Sequence, residues 1–238
     1  MKIRECIINE ENKLVVDGSF NPRIFTYSGE IADVDNPPPL HDMAICLGRI
    51  PRFCGNTLTY WPVLGHVINA GNIAYKMRKD NVIGHCMLHD GSESLLGDIP
   101  SPFKTKDTKS LEDKIITNVY KKYNLKVTES ILEDVEFVDR LCLILEAELL
   151  LCNRAANFFT EVYSKSIGLS QAQRNIGIPL LAKLVYIANK EPKSFWPEGW
   201  LVAGYCECIK KISEGSNQRK EFELLINLIE KKFNLLIT

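Results

Sequence analysis

The run His85-Cys86-Met87-Leu88-His89-Asp90-Gly91-Ser92-Glu93-Ser94-Leu95-Leu96, closed by Gly97-Asp98-Ile99-Pro100-Ser101-Pro102-Phe103-Lys104, is the most informative segment of the chain. The apolar spacing from Asn81 to Leu96 predicts a helix, and Gly97 with two nearby prolines breaks it. On such a helix His85, His89 and Glu93 stand four residues apart and share a face. Adjacent His89 and Asp90 offer an imidazole and a carboxylate. That mix suits Zn, Mn, Fe or Co with open positions for water. The plainer alternative is a surface or capping pair.

Two other segments carry a polar group in an apolar setting. His66 lies within the predicted helix Leu64–Met77. Asp139 lies within Val135–Leu150, where an unpaired carboxylate would be costly if buried. Coordination to one metal ion would satisfy both. A core histidine and an ion pair with Arg140 are the competing readings.

The rest of the chain reads as mainly α. Short β-like runs at Ile3–Ile8, Lys13–Val16 and Arg23–Tyr27 are separated by turn residues, and Asn36-Pro37-Pro38-Pro39 is a stiff stop. Helical spacing begins at His41 and ends near Pro51. Ser110-Leu111-Glu112-Asp113 resembles a capping box, opening a helix with Leu111, Ile115, Val119 and Tyr123 on one face. Leu132–Phe159 predicts a central helix or two. Gly177-Ile178-Pro179 predicts a break, followed by helices near Leu180–Asn189 and over Phe222–Ile237, with Glu191–Gly199 a loop. This divides into residues 1–35 (β-rich), 36–163 (catalytic core) and 164–238 (a helical C-terminal extension).

The chain has 238 residues, 29 Lys plus Arg against 30 Asp plus Glu, and 45% hydrophobic residues. That composition excludes disordered and collagen-like classes. The near-zero net charge argues against nucleic acid or an anionic membrane as partner. No secretory signal is read in the charged opening Met1–Glu5, and the eight cysteines form no CxxC. A reducing cytoplasm is the expected compartment.

The order His66, His89-Asp90, Asp139 resembles the HD-domain metal-dependent phosphohydrolases. His89-Asp90-Gly91-Ser92-Glu93 with Gly97-Asp98-Ile99-Pro100-Ser101-Pro102-Phe103-Lys104 is similar to the signature of the bacterial 5'-deoxynucleotidases. It also resembles a phage-type group that includes dATP triphosphohydrolases. Leu47–Gly55, Leu111-Glu112-Asp113 and Val138-Asp139-Arg140 with Glu146-Ala147 extend the likeness over roughly residues 25–160. The family's first histidine usually follows Glu or Gln, whereas here it follows Gly65.

The resemblance implies an HD-type helical bundle with a small N-terminal β element. It implies one divalent ion (Mn, Co, Zn or Mg) on His66, His89, Asp90 and Asp139. It implies Glu93 as the group that orients water or protonates the leaving oxygen, and Asp98 as acceptor for a deoxyribose 3'-hydroxyl. Arg49, Arg52 and Lys104 are the phosphate clamps, since guanidinium grips phosphate bidentately and lysine acts as a point charge. Phe53, next to Arg52, would crowd the sugar 2'-position. The expected activity is a 5'-deoxynucleotidase acting on deoxynucleoside monophosphates. A dNTP triphosphohydrolase is the alternative, and a nucleotide-sensing or partner-binding module without turnover is the alternative of another class. Family analogy adds a homodimer and, for a phage-encoded chain, the host cytoplasm.

Overall fold

Triple proline at 37–39 cannot continue a helix, and the first helix starts directly after it. In this computed structural model, which describes residues 23–167 and 170–238, α1 spans Leu40–Leu47. Before it lies one antiparallel hairpin of β1 (Ile24–Phe25) and β2 (Ile31–Ala32), with Ile24 opposite Ala32. Gly29 takes φ +85° in the turn, where a side chain would be strained. Ser28 ties this hairpin to α1, its hydroxyl donating to buried Asp42 at 2.6 Å. The runs expected at Ile3–Ile8 and Lys13–Val16 lie outside the described residues.

The central element is α2 (Val63–Lys76), in which every residue from Val63 to Ala74 is buried. A helix apolar on all sides must be enclosed by others. Its small residues permit that: a Cβ on Gly71 would stand 2.8 Å from both Met87 Cγ and Phe222 Cε2. The helices that follow are α3 (Ile83–Leu88), α4 (Glu93–Leu96), α5 (Lys106–Lys122), α6 (Glu129–Leu150) and α7 (Asn153–Ile167), of which α3 and α6 pack directly on α2. The bundle is completed by α8 (Gln171–Lys190), α9 (Trp200–Ser213) and α10 (Gln218–Ile237). The described residues thus form a mainly α fold with a small β element and C-terminal helices.

Three local expectations are corrected. The helix expected over Asn81–Leu96 is interrupted at His89–Ser92, where Gly91 N–H donates to Leu88 O and Glu93 N–H to Asp90 O in tight three-residue turns. Ser110 does not open α5. Thr105 does, its hydroxyl accepting from Thr108 N–H, which leaves Ser110 inside the helix. Gly177-Ile178-Pro179 does not break α8, which runs through Pro179. Burial of Leu180, Leu181 and Leu184 outweighs the lost backbone bond, worth about 3 kcal/mol. Leu132–Phe159 does fall in two helices, α6 and α7, and α6 carries Asp139 and Glu146.

The C-terminal helices share the core of the rest. Leu181, Tyr205 and Phe222 belong to the same buried cluster as Ile68 and Met87, and Tyr205 O–H donates to Met87 O at 2.7 Å. No helix among the described residues is long and apolar enough to cross a membrane.

Candidate metal centre

Three elements bring the predicted ligands together. His66 comes from the first turns of α2, His89 and Asp90 from the tight turn after α3, and Asp139 from the middle of α6. His66 Nε2 lies 3.2 Å from His89 Nε2 and 3.1 Å from Asp139 Oδ1. His89 Nε2 lies 3.3 Å from the same Asp139 oxygen. Asp90 reaches His89 Nε2 with Oδ1 at 3.4 Å and His66 Nε2 with Oδ2 at 3.5 Å.

The other face of each imidazole is committed. His66 Nδ1 is 2.9 Å from Glu146 Oε1, and Trp61 Nε1–H donates to that same oxygen at 2.9 Å. Glu146 is fully buried. Burial raises its pKa, but His66 and Arg52 outweigh burial and hold it below the ordinary carboxylate value. An ionised Glu146 only accepts, so His66 Nδ1 carries the proton. His89 Nδ1 donates to the carbonyl of Cys86 at 2.7 Å. Both rings are thereby turned so that Nε2 faces the centre, the orientation a metal-binding histidine takes.

Burial and the Arg52 guanidinium press the His66 pKa down, yet Glu146 and its other partners raise it well above the usual histidine value. His89 is raised too, with Asp90 and Asp139 overcoming burial. Asp139 is held well below its ordinary value, the two histidines outweighing burial. A compact cation is the natural occupant of such a cluster. Donors about 2.0–2.2 Å from one ion and roughly 90–110° apart stand ~2.8–3.6 Å from one another. The donor separations here fall in that range. Asp90 Oδ2 is buried with no hydrogen-bond partner, lying 3.5 Å from His66 Nε2 and 3.6 Å from the Arg52 guanidinium. His66, His89 and Asp139 form a group that could hold a metal ion, and so, on the far side of the His66 ring, do His66, Cys142 and Glu146. The second group is closed by Trp61, and burial pushes the Cys142 thiol up to about 11, away from the thiolate a metal needs.

A cleft of about 230 Å³ opens beside this cluster, lined by Asp90, Asp139 and Glu93. Asp98, Arg52, Lys104 and Phe53 line it as well. Glu93 is buried, and its Oε2 has no hydrogen-bond partner. Burial and the neighbouring Asp90 raise its pKa well above the ordinary value, against the pull of Arg52. Burial likewise raises Asp98. Arg52 is buried between Asp90 at 3.6 Å and Glu146 at 3.5 Å. Its inward direction comes with a strained backbone: Phe53 and Cys54 both have positive φ, 54° and 51°. Two non-glycine residues in that region cost of order 1–3 kcal/mol each, and such strain concentrates at functional sites. Lys104 pairs with Glu112 at 3.0 Å.

Arg49 stands apart from the other expected site residues. Its guanidinium lies over the Tyr27 ring at 5.4 Å and lines a separate cavity against the β-hairpin. His85 also points elsewhere, with Nε2 3.1 Å from Lys126 O and the ring against Tyr120. The residues that sequence reasoning missed are Trp61 and the orienting role of Glu146. Glu146 carried a signal, a carboxylate inside the apolar run Leu141–Cys152. Trp61 carried none. Gly65 now has a reason: a Cβ there would stand 2.6 Å from the Trp61 ring. The chain matches no protein-family model and no curated protein.

Proposed function

We propose that this protein is a metal-dependent phosphohydrolase that removes the 5'-phosphate of a deoxynucleoside monophosphate. The observation that carries the reading is the convergence of His66, His89 and Asp139 within 3.1–3.3 Å of one another beside a cleft, with Asp90 3.4 Å from His89 and 3.5 Å from His66. These four would hold the ion, Glu146 and the Cys86 carbonyl keeping both rings turned toward it. Bound there, a divalent ion lowers the pKa of its water and neutralises charge on a phosphoryl oxygen.

The chain's own groups supply the remaining functions. Glu93 has its pKa pushed upward by burial and Asp90, toward the form that carries a proton. It can pass that proton to the leaving ester oxygen, general acid catalysis with a usual worth of about 10²–10⁴-fold. Arg52 faces the phosphate from the buried wall of the cleft and Lys104 from its rim. Asp98, on the loop after α4, lines the cleft and would accept from a sugar hydroxyl.

The size and charge of the cleft favour the monophosphate over the triphosphate. Its 230 Å³ is below the ~300–1,000 Å³ common for small-molecule sites. Arg52 and Lys104 are the cations among its lining residues, against Asp90, Glu93, Asp98 and Asp139. Lys106 and Lys109 are exposed and do not line it, so little cationic room extends beyond one phosphate.

The test is phosphate and triphosphate release from dNMPs, NMPs and dNTPs with Mn, Co, Mg or Zn, beside metal analysis of the wild type, His89→Ala and Asp90→Ala. Phosphate from dNMPs, with metal affinity lost in both variants, is the expected result. Triphosphate from dNTPs alone would transfer the reading to triphosphohydrolysis. A wild type that binds none of these metals would leave a non-catalytic module.

A further inference from the structure

The cleft has a second character besides its charged wall. Leu143 lies one helical turn beyond Asp139 on the same face of α6, and α7 folds back antiparallel beside it after the turn at 151–152. From α7, Phe158 and Phe159 line the cleft together with Leu143 and Phe53. Phe159 meets Phe53 edge-on, with ring centroids 5.8 Å apart, and Phe158 meets Phe159 edge-on at 5.9 Å. Phe158 remains 60% exposed although it borders a concave site. An aromatic face left wet in a cleft whose other wall is charged is surface a ligand gains by covering.

We propose that Phe158 and Phe159 form the platform on which the base of the nucleotide stacks, opposite the phosphate held near the metal centre. The proposal rests on the phosphohydrolase reading above and adds what the substrate must carry: an aromatic ring joined to the phosphate through a short polar spacer. The occupant follows from continuity, because one cavity joins these rings to Asp98, Arg52 and the candidate ligands Asp90 and Asp139. Stacking holds a base by its face, so it tolerates any base but not its absence.

The experiment compares a dNMP with base-free 2-deoxyribose 5-phosphate, read as the ratio of their kcat/KM values. Stacking on protein aromatics is worth about 1–3 kcal/mol per base, so the wild-type ratio should be roughly 5–150. Phe158→Ala and Phe159→Leu should each lower that ratio by about fivefold, whereas Phe158→Trp, which keeps a ring, should retain it. Phe158 is exposed enough that its replacement spares the fold, so a failure of Phe159→Leu to fold leaves the test intact. Equal turnover of both substrates by the wild type, or an unchanged ratio in Phe158→Ala, overturns the platform while the phosphohydrolase stands. No release from either substrate under any metal defeats the parent reading, and the platform falls with it.

Discussion

His66 shows how one side chain is made ready by partners distant in sequence. Its Nδ1 is held by Glu146, Glu146 is held in turn by Trp61, and Arg52 balances the charge of that carboxylate. Removing a partner so that a buried ion stands alone is strongly destabilising, typically by about 3–5 kcal/mol. Substituting this inner shell would therefore confuse folding with chemistry. Glu93 offers a cleaner test. Its Oε2 bonds to nothing in the protein, so Glu93→Gln should fold normally and keep its metal. Turnover should fall by at least about 10²-fold, measured as phosphate release beside a metal titration. Near-normal rates would remove Glu93 from the proposed mechanism.

The start of α2 shows two local rules in conflict. Alanine is favoured over glycine inside a helix by about 0.8–1.0 kcal/mol, so Gly65→Ala should stabilise an isolated helix. In the protein the new Cβ would stand 2.6 Å from the Trp61 ring, whose indole N–H holds Glu146. Overpacking of this kind usually costs about 1–3 kcal/mol, and it should prevail. The expected outcome is a lower denaturation midpoint together with weaker metal affinity; a stabilised variant with unchanged affinity would contradict it. Boundaries were readable where a local signal was unopposed. The proline stop before α1 and the apolar run of α2 are examples. They were misread where tertiary packing overrode local preference, as at Pro179 in α8. At the start of α5 a second cap, Thr105, lay closer to the preceding turn than Ser110.

For the molecule as a whole, the helices of the expected C-terminal extension share one buried cluster with those of the expected core. Leu181, Tyr205 and Phe222 are at most marginally exposed and pack on the helices that carry the ligands. Truncation after residue 163 would uncover those contacts on α2 and α3. Each large apolar side chain deprived of burial costs about 1.5–3 kcal/mol, so the loss of several exceeds the ~5–15 kcal/mol stability of a typical domain. The truncated chain should show no cooperative thermal transition by circular dichroism. A cooperative unfolding transition near that of the intact protein would establish the separable core instead.

Helical class and the ordered set of His66, His89, Asp90 and Asp139 could be read from the chain alone. Apolar periodicity is a local property, His66 and Asp139 stood out against apolar neighbours, and the resemblance supplied the order of the set. The distances among them, the turned imidazoles, the departure of Arg49 from the cleft and the aromatic wall of α7 could not. Those depend on which helices meet, and that is set by contacts between residues far apart in sequence: Trp61 against Gly65 and Glu146, Phe222 against Gly71, and α7 folded back upon α6.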